Sequence, residues 1–220
     1  MKSAIRLLVP GVLALIALTA AWAAQPAATP AAAAAADEPA KKADEPAKAA
    51  DLAGSYKVDG VHSSNVFRIK HLDTAYFYGR FNDCDGEFTL DAADPDKCRF
   101  DIRLKVVSVD TANSGRDDHL RSEEYFDAEK HPYITFKSKS AKKAGGSALE
   151  VSGDLTLRGV TKPLTATVEL TGSGKGFRGE FRAGWETTFT IKRSDFGMTA
   201  GQGALSDDVR ITISVEGIKS

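Results

Sequence analysis

From residue 53 onward, apolar and polar side chains alternate with a period of two in stretch after stretch. "FRIKH" sets Phe67, Ile69 and His71 on one face and Arg68 and Lys70 on the other. "RFDIRLKVV" does the same with Phe100, Ile102, Leu104 and Val106 against Asp101, Arg103 and Lys105. "GEFTL", "YITFKSKS", "LEVSGDLTLRG", "KPLTATVELTG", "FRGEFRAGWETTFTIK" and "DDVRITISVEG" repeat the pattern, separated by turn clusters such as "DAADPDK", "KKAGGSA" and "GSGKG". Strands with one apolar and one polar face build an antiparallel sheet that must sandwich or close on itself. The pattern predicts about eight strands, and closure at that number gives an all-β, up-and-down barrel whose interior is filled by side chains or holds a small ligand. One interruption is helical in character: the charged "SGRDDHLRSEEYFD" between Ser114 and Asp127 reads as a helical turn crossing an open end as a lid.

Before residue 53 the composition is different. Residues 1–23 carry a basic tip (Lys2, Arg6), an apolar run from Leu7 to Leu18, and the small-residue site Ala21-Trp22-Ala23. That is the layout of a cleavable export signal, with an apolar run short for a membrane span, so the mature chain is expected to begin near Ala24 in the periplasm. No Cys follows the small residues, which argues against a lipid-anchored form. Residues 24–52 are almost wholly Ala, Pro, Lys, Asp and Glu and contain "ADEPAK" twice. Such a segment cannot bury enough apolar surface to offset the entropy of ordering, and it is expected to be a flexible tether. Residues 53–220 then form one domain, long enough for one sizeable core.

Charge narrows the partners. Without Lys2 and Arg6 the 29 basic residues fall to 27, against 30 acidic ones, a balance of about −3. With no basic run or excess, nucleic acid is excluded as a partner.

The chemistry-bearing residues form no catalytic constellation. His62, His71, His119 and His131 lack zinc spacings, no C-x-x-C occurs, and no metal site is expected. No G-x-S-x-G elbow appears, and alternating strands offer no strand-to-helix turn to build one. Ser63 beside His62 reads as a turn hydroxyl bonding the backbone, and "GSGKG" as a hairpin loop. Asp117 and Asp118 read as helix-turn caps, and Asp207 and Asp208 as the start of the last strand. Cys84 and Cys98 would meet an oxidising compartment, where a disulfide is the default. Hairpin pairing of "GEFTL" with "RFDIRL" places Cys98 near the turn and Cys84 far down the other strand. They are therefore expected not to bridge one another.

What remains is a set of large apolar residues on the inward register: Phe67, Ile69, Phe88, Leu90, Phe100, Ile102, Phe136, Leu155, Leu157, Phe189 and Ile191. Two readings stand side by side, a packed core and an apolar cavity.

Taken in order, "YKVDGVHSSNVFRIKHL", "GRFNDCDGEFTLD", "DDHLRSEEYFDAEKHPYITFKS", "GDLTLRGVTKPLTATV", "RSDFGM" and "DDVRITISVEG" resemble the YceI-like family, from about Tyr56 to Gly217. The most specific parts run from Phe126 to Ser138 and from Gly153 to Pro163. Cys84, Cys98 and the tether are not part of that pattern. The resemblance implies a periplasmic or secreted protein with a lipocalin-like barrel. It implies no catalysis and no cofactor beyond a bound polyisoprenoid or isoprenoid-quinone tail in the interior. On that reading His71, at a strand end, would hydrogen-bond a polar headgroup near the mouth. At about 0.8 kcal/mol per buried CH₂, each isoprene unit gains roughly 3 to 4 kcal/mol before ordering costs. A transient contact with a membrane or a membrane redox partner belongs to the same expectation, and the oligomeric state is open, a dimer included. Two other functions compete: a lipid hydrolase or isomerase using the same cavity, and a filled-barrel stress-protective module.

Overall fold

A computed structural model describes residues 52–91 and 93–220. The expected export signal and the tether up to residue 51 lie outside the described residues, whereas Leu52 packs against the core. The strand segments are β1 (Gly54–Val58), β2 (Ser64–His71), β3 (Ala75–Phe81), β4 (Cys84–Leu90), β5 (Arg99–Lys105) and β6 (Val109–Asp110). They continue with β7 (Tyr133–Gly145), β8 (Ala148–Leu157), β9 (Val160–Lys175), β10 (Phe181–Lys192) and β11 (Leu205–Lys219), with helix α1 (Ser114–Arg121) between β6 and β7.

All pairings between these segments are antiparallel, in the order β1-β4-β5-β7-β8-β9-β10-β11-β2-β3-β6, and β1 also pairs with β11 to close the ring. Eleven segments make eight barrel strands, because three strands are kinked. β1 and β2 lie end to end along β11, with Val58 opposite Gly217 and Ser64 opposite Ser214. β4 and β3 follow along them, and β5 and β6 follow in turn. Consecutive strands are neighbours all round, so the barrel is up-and-down.

The first kink is held by side chains. Ser63 Oγ donates to the Asp59 carbonyl at 2.8 Å and accepts from the Glu216 N–H at 3.1 Å. The hydroxyl thus plays the turn role expected of it. At the third kink, Ser108 Oγ donates to the Lys105 carbonyl and accepts from Asp83 N–H.

Alternation decides which faces are buried. In β5, Phe100, Ile102 and Leu104 are buried while the residues between them are not. β8 buries Leu149, Val151, Leu155 and Leu157 in the same rhythm. One end of the barrel is plugged by an aromatic run: Tyr56 stacks on Phe88 (4.9 Å), Phe88 on Phe100 (6.0 Å), and Phe100 meets Trp185 edge-on (5.9 Å). Gly217 makes room for this run, since a Cβ there would stand 2.4 Å from the Phe88 ring.

Toward the other end, α1 begins at Asn113, whose side chain accepts from the Arg116 N–H at 2.9 Å, an N-cap of the usual kind. Buried Asp117 accepts from the Thr111 N–H and hydroxyl, and Arg121 donates to the Val107 and Val109 carbonyls. These bonds tie the helix to the β5–β6 strand.

Candidate functional site

The barrel interior contains two apolar cavities, of about 80 Å³ and about 110 Å³. The first is lined from β5 (Phe100, Ile102), β7 (Phe136), β8 (Leu155) and β10 (Phe189). The second is lined by Phe67 and Ile69 of β2, Leu155 and Leu157 of β8, and Phe189 and Ile191 of β10. Leu104, Ile134, Leu155, Phe189 and Ile213 line both cavities, which therefore adjoin.

Phe88, Leu90 and His71 lie elsewhere. Phe88 is 1% exposed and belongs to the aromatic plug, stacked against Tyr56. Leu90 is buried opposite Gly54 and faces a separate recess with Leu52 and Cys98. His71 is exposed, at the last rung of β2 opposite Ala75 and Leu205, beyond the register shift between Leu205 and Val209, and lines neither cavity. It keeps the inward parity of Phe67 and Ile69 but lies past the part of the strand that walls the interior.

Other lining residues lie outside that inward set. Leu164, Ala166 and Val168 of β9 and Val209, Ile211 and Ile213 of β11 alternate as clearly as β5 does. Leu120, Tyr125 and Phe126 reach cavity 2 from α1 and the segment after it, and Phe126 meets Phe81 edge-on at 5.4 Å. The charged segment therefore covers the interior as a lid with three large side chains. Asn65 of β2 also lines cavity 2 and is 3% exposed, while Trp185, 6% exposed, lines cavity 1.

The wall itself is incomplete on one side. The β9–β10 ladder ends at Val168 and Thr187, so 160–167 of β9 and 188–192 of β10 share no rung. Lys162, Pro163, Leu164, Thr190 and Ile191 border a recess there. Pro163 has no N–H for a ladder and fits a strand with a free edge.

A cluster of charged groups lies apart from both cavities, at the β1–β2 kink. Asp59, His62 and Glu216 bring their donor atoms within 4.8 Å of one another, a spacing that a cation can bridge. The cation present is Arg182, whose guanidinium bonds Asp59 (2.9 Å), Glu180 (2.8 Å) and Glu216. The His62 hydrogen bond, then Arg182 and the Val61 N–H, hold the Asp59 carboxyl down at about 2. Glu216, Glu180 and Asp59 raise Arg182 further above its already high value. This network locks the β1–β2 kink to β10 and β11.

Cys84 and Cys98 are free and buried. Cys84 pairs with Leu104 at the far end of the β4–β5 ladder, while Cys98 precedes the turn-side rung of Arg99 and Thr89. Burial pushes the Cys84 thiol up to about 11 and raises Cys98 as well. A thiol held protonated is a poor nucleophile.

The chain matches the YceI-like domain family over residues 56–217. A UPF0312 protein of Pseudomonas aeruginosa is 44% identical over 170 residues, covering 76% of this chain and 88% of that protein. Among solved structures, the YCEI protein of Campylobacter jejuni is 33% identical with a TM-score of 0.62, covering 69% of this chain and 90% of that one. A polyisoprenoid binding domain from Saccharophagus degradans shares the fold at 16% identity, with a TM-score of 0.61 and coverage of 75% and 98%.

Proposed function

The chain belongs to the YceI-like family, and on that premise we propose that its barrel binds an isoprenoid lipid, holding a polyprenyl or quinone-type tail in the periplasm as a carrier or store. The observation that carries this reading is the pair of adjoining apolar cavities, which share five lining residues. Together they are smaller than the roughly 300 Å³ at which ligand pockets begin, so a long tail enters by displacing lining side chains. Phe189 and Leu155 border both spaces, so a change of their rotamers is a route by which the two would join. Each CH₂ taken from water gains about 0.8 kcal/mol, which compensates for that repacking within a few isoprene units. The Saccharophagus neighbour is a polyisoprenoid binding domain, which supports the same ligand class.

The enzyme reading has less behind it. A lipid hydrolase or isomerase needs a positioned acid, base or nucleophile at the substrate. Here the strongly shifted groups lie in the Asp59–Arg182 network, on the surface side of the kink, or in buried thiols held protonated. The stress-protective reading requires a barrel with no room to spare, and the two cavities speak against it.

The test is native mass spectrometry of protein purified from its own cell envelope, followed by extraction and identification of bound lipid. A stoichiometric isoprenoid is the expected result. A protein that is always empty, and that takes up no prenol or quinone added in vitro, overturns the proposal.

A further inference from the structure

Asn65 is the polar exception on an apolar face. It stands on the inward register of β2 with Phe67 and Ile69, lines cavity 2, and is 3% exposed. Among the described residues, neither its Oδ1 nor its Nδ2 has a hydrogen-bond partner. Its polar neighbour is the Cys84 sulfur, close enough to be felt by that thiol but outside hydrogen-bond geometry. Buried carboxamides are normally satisfied, and one that is not marks a position where something else supplies the partner. Building a donor and an acceptor into a wall of Phe, Ile and Leu destabilises the empty barrel, and a ligand that meets both groups removes that penalty.

We propose that Asn65 is the head-group subsite of the barrel, hydrogen-bonding a neutral polar head of the lipid inside cavity 2 while the tail occupies the apolar remainder. The inference rests on the lipid-binding reading and adds the chemistry of the head. A carboxamide both donates and accepts, so it matches a hydroxyl, an amide or a quinone carbonyl. A charged head would need a cation with donors to spare. The cation lining cavity 2 is Arg193, and its guanidinium already serves the carbonyls of Ser206, Met198, Ala200 and Leu205. The head is thereby placed in the interior and not at exposed His71.

The decisive comparison uses farnesol and farnesene, which share a skeleton of three isoprene units. Farnesene lacks the hydroxyl, lost as water, and carries one more double bond. Calorimetric titration of the full chain is expected to show a preference for farnesol. Asn65→Leu, close in shape to the original, is expected to lose farnesol affinity by about tenfold or more while farnesene binds as well as before or better. Asn65→Thr, which keeps a hydroxyl, is expected to retain part of the preference, and guards against a Leu variant that folds poorly. A folded Asn65→Leu protein with the wild-type preference overturns the subsite and leaves lipid binding standing. The same holds if that variant changes only in melting temperature, the signature of a structural water on Asn65. Farnesyl diphosphate binding more tightly than farnesol, with the same dependence on Asn65, overturns the neutral head. Wild-type protein that binds neither farnesol nor farnesene overturns the lipid reading, and the subsite falls with it.

Discussion

Gly79 lies directly across the β2–β3 ladder from Phe67, and a Cβ on Gly79 would stand 2.3 Å from the Phe67 ring. The ring lies over the glycine backbone and from there lines cavity 2. Gly79→Ala must push Phe67 inward or tilt the strand, with Thr111 crowding the other side. Denaturant unfolding should show a loss of about 1 to 3 kcal/mol, the usual range for overpacking. Gly172→Ala is the control, because a Cβ there meets nothing among the described residues within 4 Å. Its stability should stay within about 0.5 kcal/mol of wild type. Equal effects at the two sites would mean that the ring does not rest on Gly79.

The Asp59 carboxyl makes stability pH-dependent in a defined window. Its folded value of about 2 lies below the unfolded 3.8, so the charged form is favoured by folding. The stabilisation is therefore complete above the unfolded value and is lost as pH falls from about 4 through about 2. Unfolding measured from neutral pH down through that window should show wild type losing its advantage over Asp59→Asn. A gap between the two proteins that stays constant through the window would place the acid sensitivity elsewhere.

The thiols offer a test of the ladder. Cys84 and Cys98 are buried at opposite ends of β4–β5, and burial holds both thiols above their ordinary range. Alkylation of the native protein without reductant should be slow at neutral pH. In denaturant, both sites should react and the intact mass should show two added groups. A mass lacking both would reveal a bridge and a different register.

The fold was readable because two-residue alternation reports directly on which face of a strand is covered, and eight alternating stretches leave little choice but closure. What the alternation cannot report is position along the barrel axis. Phe88 and Phe100 face each other on one rung, yet only Phe100 borders a cavity, because Tyr56 stacks on Phe88 from a strand far away in sequence. His71 has inward parity, yet it is exposed because β2 outlasts the wall it helps to build. Asn65 was legible in principle, as a polar residue at an apolar parity. Its significance needed the three-dimensional fact that no described group hydrogen-bonds its side chain.

If a tail threads from cavity 2 into cavity 1, blocking the latter should act as a ruler on chain length. Ile102 and Phe100 border cavity 1 and not cavity 2, so a Trp at either position fills the distal space and leaves the proximal one open. The fold should survive Ile102→Trp at a cost of about 1 to 3 kcal/mol. Phe100→Trp should behave similarly, with some repacking against Trp185. Arg103 follows Ile102 on the outer face, paired with Asp85 at 2.6 Å and half exposed. Arg103→Gln removes a surface ion pair and should alter stability by less than about 1 kcal/mol and binding not at all. Affinities measured for a series of prenols of increasing length carry the argument. For wild type, each added unit should tighten binding until the interior is full. For Ile102→Trp, short prenols should bind as before and the gain per unit should stop earlier. If short and long prenols lose affinity equally, the substitution has disturbed the whole barrel and the tail does not run through cavity 1. If neither loses affinity in a folded variant, the ligand lies outside the space that Ile102 borders.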